Sequence, residues 1–282
     1  MNKELIGVGI TTCNRPDLFS ACINSIDFNV VDYVVVVNDG SALPSDIEID
    51  NRVIIINNET NLGVSKTKNK ALKMLLDLQC EHIFTIEDDC IIKDNNIFNK
   101  YIEAFKTTKI PHFNYGPGSP WNRKQKPGLK GKLDKRHLAD QTTDPDPKLT
   151  IKYNQNVSIS LYEHIVAMFC YFHKSILEQV GLMDEEFYNA WEHVEHTYRI
   201  IKAKKYTPFW WFADISDSQN YIQEAPNEKG RTTLAKNEEK FKQQVLDGLK
   251  VFRKKHNTIP SEIVPTKNVE EIKNLLKSIY NS

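Results

Sequence analysis

Four consecutive valines, Val34–Val37, stand in the stretch DYVVVVN, from Asp32 to Asn38. A near-continuous β-branched run has no polar face to turn toward water, so it suits a strand covered on both sides in a parallel sheet. The same signature recurs nearby. Leu5–Ile10, Arg52–Asn57 (RVIIIN) and His82–Ile86 also read as strands. Two helical periods lie between them. Arg15–Ile26 carries Leu18, Phe19, Cys22 and Ile26 on one side, and Val64–Leu78 carries Ala71, Met74, Leu75 and Leu78. Strands alternating with helices over short links predict an α/β chain, with a mainly parallel central sheet flanked by helices and wound in the Rossmann manner.

In such sheets ligands gather at the carboxyl ends of the strands. Four polar clusters fall there: Thr11–Arg15, Asn38–Ser41, Asn57–Asn61 and Glu87–Asp89. The last is the most demanding. FTIEDDC runs a buried strand into three successive acids, and desolvated like charges are costly. Either water solvates them in a turn or a cation holds them together. Hard divalent cations take oxygen ligands, and a metal shared with a diphosphate commonly needs only one or two protein carboxylates.

The alternation stops between about residues 111 and 156, where Pro, Gly and charge dominate. So long a connection predicts a functional lid or mobile loop. It carries seven bases (Arg123, Lys124, Lys126, Lys130, Lys132, Lys135, Arg136) against Asp134 alone. These are solvated loop lysines or a grip for a polyanion, and steep salt dependence would mark the second. Regular structure is expected to resume with a strand near Val157–Leu161, a strand or helix through Ile165–Phe172, and a helix at Lys174–Val180 closed by Gly181. A helix at Trp191–Lys204, a short strand at Phe209–Phe212 and two C-terminal helices, about Thr233–His256 and Val269–Tyr280, finish the chain.

Acids and bases balance at 37 each, so no global field favours nucleic acid or membrane. No apolar run approaches the ~18 residues of a spanning helix, and MNKELIGVGITT lacks the pattern of a signal peptide. Five unclustered cysteines fit reduced thiols, and the expected location is cytoplasmic.

Five motifs, in order, resemble the family 2 glycosyltransferases of the GT-A fold. GVGITTCNRPDLF looks like that family's first strand and turn, and VVVVNDGS its second strand. NLGVSKTKNKAL resembles its Asn-x-Gly helix segment, with Lys68 where Arg is usual. FTIEDDC sits where the D-x-D metal motif belongs. GLMDEEFYNAWEHVEHTYRI is similar to its Gly-x-x-Asp-Glu segment and acidic motif. The resemblance covers about residues 5 to 215 and implies a GT-A domain over 1–215, with 216–282 a C-terminal loop and helical extension.

The resemblance also implies roles. Thr11 and Arg15 would pack on the nucleotide, Asp39 would accept hydrogen bonds from the base, and Lys68 and Asn69 would lie near it. Glu87 and Asp89 would take the metal positions, with Asp89 the direct ligand, and Asp88 would contact the ribose. The implied cofactor is Mn2+ or Mg2+, and the donor a nucleotide-diphospho-sugar, foremost a UDP-sugar. Lys229, Arg231 and Lys236 would close over the phosphates. After the last core strand the family often supplies a metal-ligating His, where this chain has only Asp214 and Asp217.

The acceptor base is the open point. In WEHVEH, Glu192 holds the family's Glu position and His193 the place of its catalytic Asp. Either His193 is the general base, or Glu192 is and His193 binds acceptor or phosphate. His196 would orient Glu192 or sit solvated on the helix, and Glu195–Arg199 reads as an ordinary helix ion pair. Trp191 and Trp121 are candidates to stack on an acceptor sugar; Trp210 and Trp211 are expected in the core. The implied reaction is transfer to an acceptor hydroxyl with inversion. The acceptor is a glycan, or an anionic polymer or modified nucleic acid. The remaining alternative is an inactive protein that binds sugar nucleotides.

Overall fold

The computed structural model describes residues 3–44, 50–127, 141–203, 212–225, 238–263 and 268–281. Strands β1 (Ile6–Thr12), β2 (Tyr33–Asp39), β3 (Val53–Asn58) and β4 (His82–Glu87) are parallel, with the order β3-β2-β1-β4. Val34–Val37 are fully buried at the centre, as a two-sided sheet requires. The chain leaves β1 toward β2 on one flank and reaches β4 on the other, so a crevice opens between the ends of β1 and β4.

Helices α1 (Pro16–Asn24) and α2 (Val64–Asp77) follow β1 and β3. Two glycines set how closely α2 lies on the sheet. A Cβ on Gly9 would stand 2.9 Å from the Ala71 Cβ, and one on Gly7 2.6 Å from Leu75 Cδ2. With neither present, α2 settles low enough to bring Lys68 to the end of β4.

The stretch expected to be a loop, 111–156, is more regular than its composition suggests. After β5 (Cys90–Ile92) it carries four short strands: β6 (His112–Asn114), β7 (Arg123–Gln125), β8 (Gln141–Pro145) and β9 (Leu149–Lys152). Each finds its partner far along the chain or across a ribbon, and local composition is blind to such pairing. β10 (Ser158–Tyr162) and β11 (Phe169–His173) follow. The element left open between strand and helix is thus a strand. β11 lies antiparallel between β4 and β6 and completes a six-stranded sheet. β12 (Phe212–Ile215) joins β10 and β9 in a second, antiparallel sheet, and β13 (Ile222–Glu224) pairs with β5. Residues 216–225 therefore return to the strand that follows the acidic turn. The basic positions 128–136, the aromatic pair Trp210–Trp211, and Lys229, Arg231 and Lys236 lie outside the described residues.

A further helix, α3 (Asn96–Thr108), buries Phe98 and Tyr101 against Phe84 and Phe169. α4 (Lys174–Val180) and α5 (Glu192–Lys202) cover the β6 flank, and helices Glu238–His256 and Val269–Asn281 end the chain.

One buried polar contact ties α5 to the sheet. His112 on β6 donates its Nδ1–H to the Tyr171 carbonyl at 2.8 Å, which leaves Nε2 to accept from Thr197 of α5 at 3.0 Å and Asn114 at 3.1 Å. Burial holds this imidazole neutral and lowers its pKa to about 4. Between that value and the unfolded value near 6.5, the unfolded chain takes up a proton that the folded chain refuses, so acidification costs stability through His112. The stability gap between the parent and His112→Gln should therefore narrow as pH falls from 6.5 to 4, by about 1.4 kcal/mol per pH unit, in urea melts at stepped pH.

Candidate active site

Three strand ends meet at one cavity of about 460 Å3. β1 supplies Thr11 and Thr12, the following turn Cys13–Arg15, β2 Asp39 and β4 Glu87. Asn61, Val64 and Thr67 close one side, and Tyr188 and Asn189 another. Lys240, from helix Glu238–His256, reaches the rim. Of the residues expected at the nucleotide, Thr11, Arg15 and Asp39 line this space.

Asp39 is buried and organises the far wall. Its Oδ1 accepts from Asn58 Nδ2 and the Leu62 N–H, both at 2.8 Å, and its Oδ2 from the Gly63 N–H at 3.1 Å. Gly63 has φ +89°, and a Cβ there would strike Tyr188 at 2.6 Å, so the turn carries the one residue type that fits.

Protein cations face the acids of the fourth strand. Lys68 on α2 is fully buried; its Nζ donates to Glu87 Oε1 at 2.7 Å and to the Ala167 carbonyl at 3.3 Å. Arg15 bridges Asp88 and Asp89, the latter at 3.0 Å. Asp88 is fully buried and also accepts from Thr12 Oγ1 at 2.7 Å. Of the two fates posed for the acids, solvation in a turn is not what the structure shows.

The compensation is incomplete. Burial pushes Asp88 up to about 7, over the opposing pull of Arg15 and Thr12. Burial and the neighbouring Glu87 push Asp89 up to about 6. Asp89 Oδ1 is buried and has no hydrogen-bond partner. That atom suits a cation: a hard oxygen in an over-acidic pocket, at the position the D-x-D resemblance assigns to the ligand. Among the described residues, however, no three His, Cys, Asp or Glu side chains are grouped to hold a metal by themselves.

Several expected contacts are placed differently. Lys68 is turned inward onto Glu87, because α2 lies too low for it to reach the cavity. Asn69 clasps the loop before α5, donating to the Met183 carbonyl at 2.8 Å and Glu185 at 3.1 Å, and accepting from the Met183 N–H at 2.9 Å. Asp88, expected at a ribose, is sealed beneath Arg15. Asp214 accepts from Tyr101, Ser218 and the Gly116 N–H, and Asp217 pairs with Lys100 at 2.7 Å, so both serve the second sheet.

At the start of α5, Glu192 is buried and His193 partly exposed. His193 Nδ1 stands 3.0 Å from Glu192 Oε1. Burial alone would raise the Glu192 carboxyl, but His193 beside it and Lys68 behind it bring it down to about 2. His196 is neither solvated nor turned to Glu192. It is buried, held neutral by burial at about 3, and donates Nε2–H to the Gly181 carbonyl at 2.9 Å. Glu195 is more than half of a helix ion pair: it is buried and receives both Arg199 Nε at 2.9 Å and His256 Nε2 at 3.0 Å. Trp191 donates its indole N–H to the Val245 carbonyl at 3.1 Å and packs where Gly248 leaves room, so it anchors helix Glu238–His256. Trp121 remains exposed beside His164.

No family model matches the chain. A protein of Acanthamoeba polyphaga mimivirus described as an uncharacterized glycosyltransferase is 27% identical over 170 residues, 60% of this chain and 56% of that protein. The chain thus spans little more than half the length of this curated relative. Two solved structures align with part of the chain at low identity. The crystal structure of S. aureus TarS is 16% identical with a TM-score of 0.44, over 69% of this chain and 33% of that one. The mannosyltransferase PcManGT from Pyrobaculum calidifontis, in complex with GDP-Man and Mn2+, is 12% identical with a TM-score of 0.40, over 64% of this chain and 47% of that one.

The Lys68–Glu87 pair, buried on the lysine side, yields a direct test. Lys68→Met leaves Glu87 facing Glu192 with no cation between, and should cost about 3–5 kcal/mol in denaturant unfolding. Adding Glu87→Gln should restore most of it, because the uncompensated charge is then gone.

Proposed function

We propose that this chain is a metal-dependent glycosyltransferase that moves a sugar from a nucleotide-diphospho-sugar, foremost a UDP-sugar, to an acceptor hydroxyl with inversion. The observation that carries the reading is the convergence of Arg15, Asp39 and Glu87 on one cavity at the reversal of strand order, with Asp88 and Asp89 held behind Arg15. The likeness of sequence to a glycosyltransferase supports it.

In this reading the nucleoside lies along Thr11, Cys13 and Asp39, whose Oδ2 keeps a lone pair toward the cavity for a base N–H. Arg15 faces the diphosphate. A divalent cation would be held by Asp89 and by phosphate oxygens, with Glu87 in support, and would stabilise the charge that develops on the leaving diphosphate. Arg15 would then shift from Asp89 toward phosphate, exchanging one oxyanion for another. The free cysteines fit work in a reducing compartment such as the cytoplasm, and no described helix is long and apolar enough to cross a membrane.

His193 is the general base and Glu192 its orienting partner. Glu192, buried against His193, is a hydrogen-bond acceptor for the imidazole. By taking the Nδ1–H it fixes the tautomer and leaves the His193 Nε2 lone pair for the acceptor proton. The acceptor oxygen bonds to the anomeric carbon as the bond to the diphosphate breaks, and the proton passes to Nε2. α5 begins three residues after the cavity-lining Asn189, although Glu192 and His193 are not themselves among the residues that line the cavity.

A thermal-shift series of UDP- and GDP-sugars with and without Mn2+ tests the site. At a hundredfold excess over Kd a bound donor should add about 2.7 kcal/mol of stability. Asp89→Asn should abolish the part of that gain that depends on metal. If no nucleotide sugar stabilises the protein in either condition, the reading fails. Replacing His193 by Ala should lower kcat by about 10²–10⁴-fold while donor affinity holds, since only proton transfer is lost.

A further inference from the structure

A second cleft, of about 620 Å3, adjoins the acidic turn. Strand pairing carries it there. β13 pairs with β5 so that Glu224 faces Cys90, the residue after Asp89, and the Ala225 N–H donates to the Asp89 carbonyl at 2.8 Å. Its walls include Lys93, Tyr115, Arg123, Asp144, Gln219 and Glu224. These come from five separate segments of the chain, and the donor cavity uses none of them.

The walls are rigidly set. Arg123 donates Nε–H to the Pro117 carbonyl at 2.6 Å and an Nη2–H to Glu224 Oε2 at 2.8 Å. Lys93 Nζ donates to the Gln219 carbonyl at 2.7 Å. The Gln219 side-chain oxygen is buried with no hydrogen-bond partner, a wall acceptor that lacks a donor. Two cations, Lys93 and Arg123, stand against two acids, Asp144 and Glu224, so the described lining is electrically balanced.

We infer that this cleft binds the acceptor, and that the acceptor is an uncharged, hydroxyl-rich carbohydrate rather than a polyanion. The inference rests on the transferase reading and extends it to the second substrate. A polyanion is gripped by net positive charge, which this lining lacks. Sugar hydroxyls both donate and accept, and they match a wall that alternates carboxylate, guanidinium, amide and phenol. The volume falls within the range of small-ligand sites, ~300–1,000 Å3, and accommodates a mono- or disaccharide. The Ala225–Asp89 backbone junction ties the cleft's wall to the strand that follows the acidic turn.

The test measures two ligands on one set of variants. Saturation-transfer NMR would screen methyl glucoside, methyl galactoside, methyl N-acetylglucosaminide, maltose and lactose, with polyphosphate and heparin as anionic competitors. UDP binding would be measured by calorimetry. At least one neutral sugar is expected to bind. Glu224→Gln should weaken it tenfold or more and leave UDP binding unchanged, and Arg15→Ala should do the reverse. Asp144 is exposed, so Asp144→Asn supplies the same test if Glu224→Gln fails to fold.

Sugar binding indifferent to Glu224 and Asp144 would overturn the inference. So would binding of the polyanions alone, with steep salt dependence, or binding of UDP with no sugar at all; those outcomes leave the transferase reading standing. Sugar binding that follows the cleft variants in a protein that binds no nucleotide supports the cleft as a carbohydrate site and overturns the transferase reading instead.

Discussion

Five charges crowded at the carboxyl ends of β1 and β4 constrain everything around them. Glu87, Asp88 and Asp89 cannot share a desolvated turn unless cations reach them, and two side chains do so from opposite sides. Lys68 comes from α2, under the sheet end, and Arg15 from the turn after β1. Each needs its backbone in one place. Gly7 and Gly9 let α2 lie close, and the left-handed turn at Asn14 (φ 56°) leads the chain into Arg15 and the start of α1. The sheet's own packing is thereby coupled to the charge state of its functional edge.

That coupling leaves a deliberate imbalance. Lys68 and Glu87 form a closed pair, with the ammonium also held by the Ala167 carbonyl. Arg15, Asp88 and Asp89 form an open set with one positive charge for two acids, one of which keeps a buried, unpartnered oxygen. That imbalance beside a roomy cavity suits a further cation.

The second half of the site is held from the other end of the chain. Glu195 binds both Arg199 and His256, and Trp191 binds the Val245 carbonyl. Helix Glu238–His256 is thus clamped onto the start of α5 at Val245 and His256, with Glu192 and His193 between Trp191 and Glu195. From the sheet side, His112 holds Thr197. A side-chain pair at a helix start is only as well placed as the helix, and three polar contacts from distant segments hold this one.

The parallel core was legible from residues alone because Val34–Val37 and RVIIIN have one stable environment, and because helices between them announce themselves by period. The gathering of Thr11, Arg15, Asp39 and Glu87 was legible too, since strand ends in such a sheet converge by topology. What could not be read was anything set by approach distance or distant pairing. Lys68 looked like a ligand-facing base and is a buried counterion. Trp191 looked like a sugar platform and is a helix anchor. His196 looked solvated and is sealed. The second cleft is assembled from five segments that share no local signal. Sequence patterns report which faces are apolar and where the chain turns; the depth at which a helix settles, and so which of its polar groups meet each other before they meet water, is decided only when the tertiary packing closes.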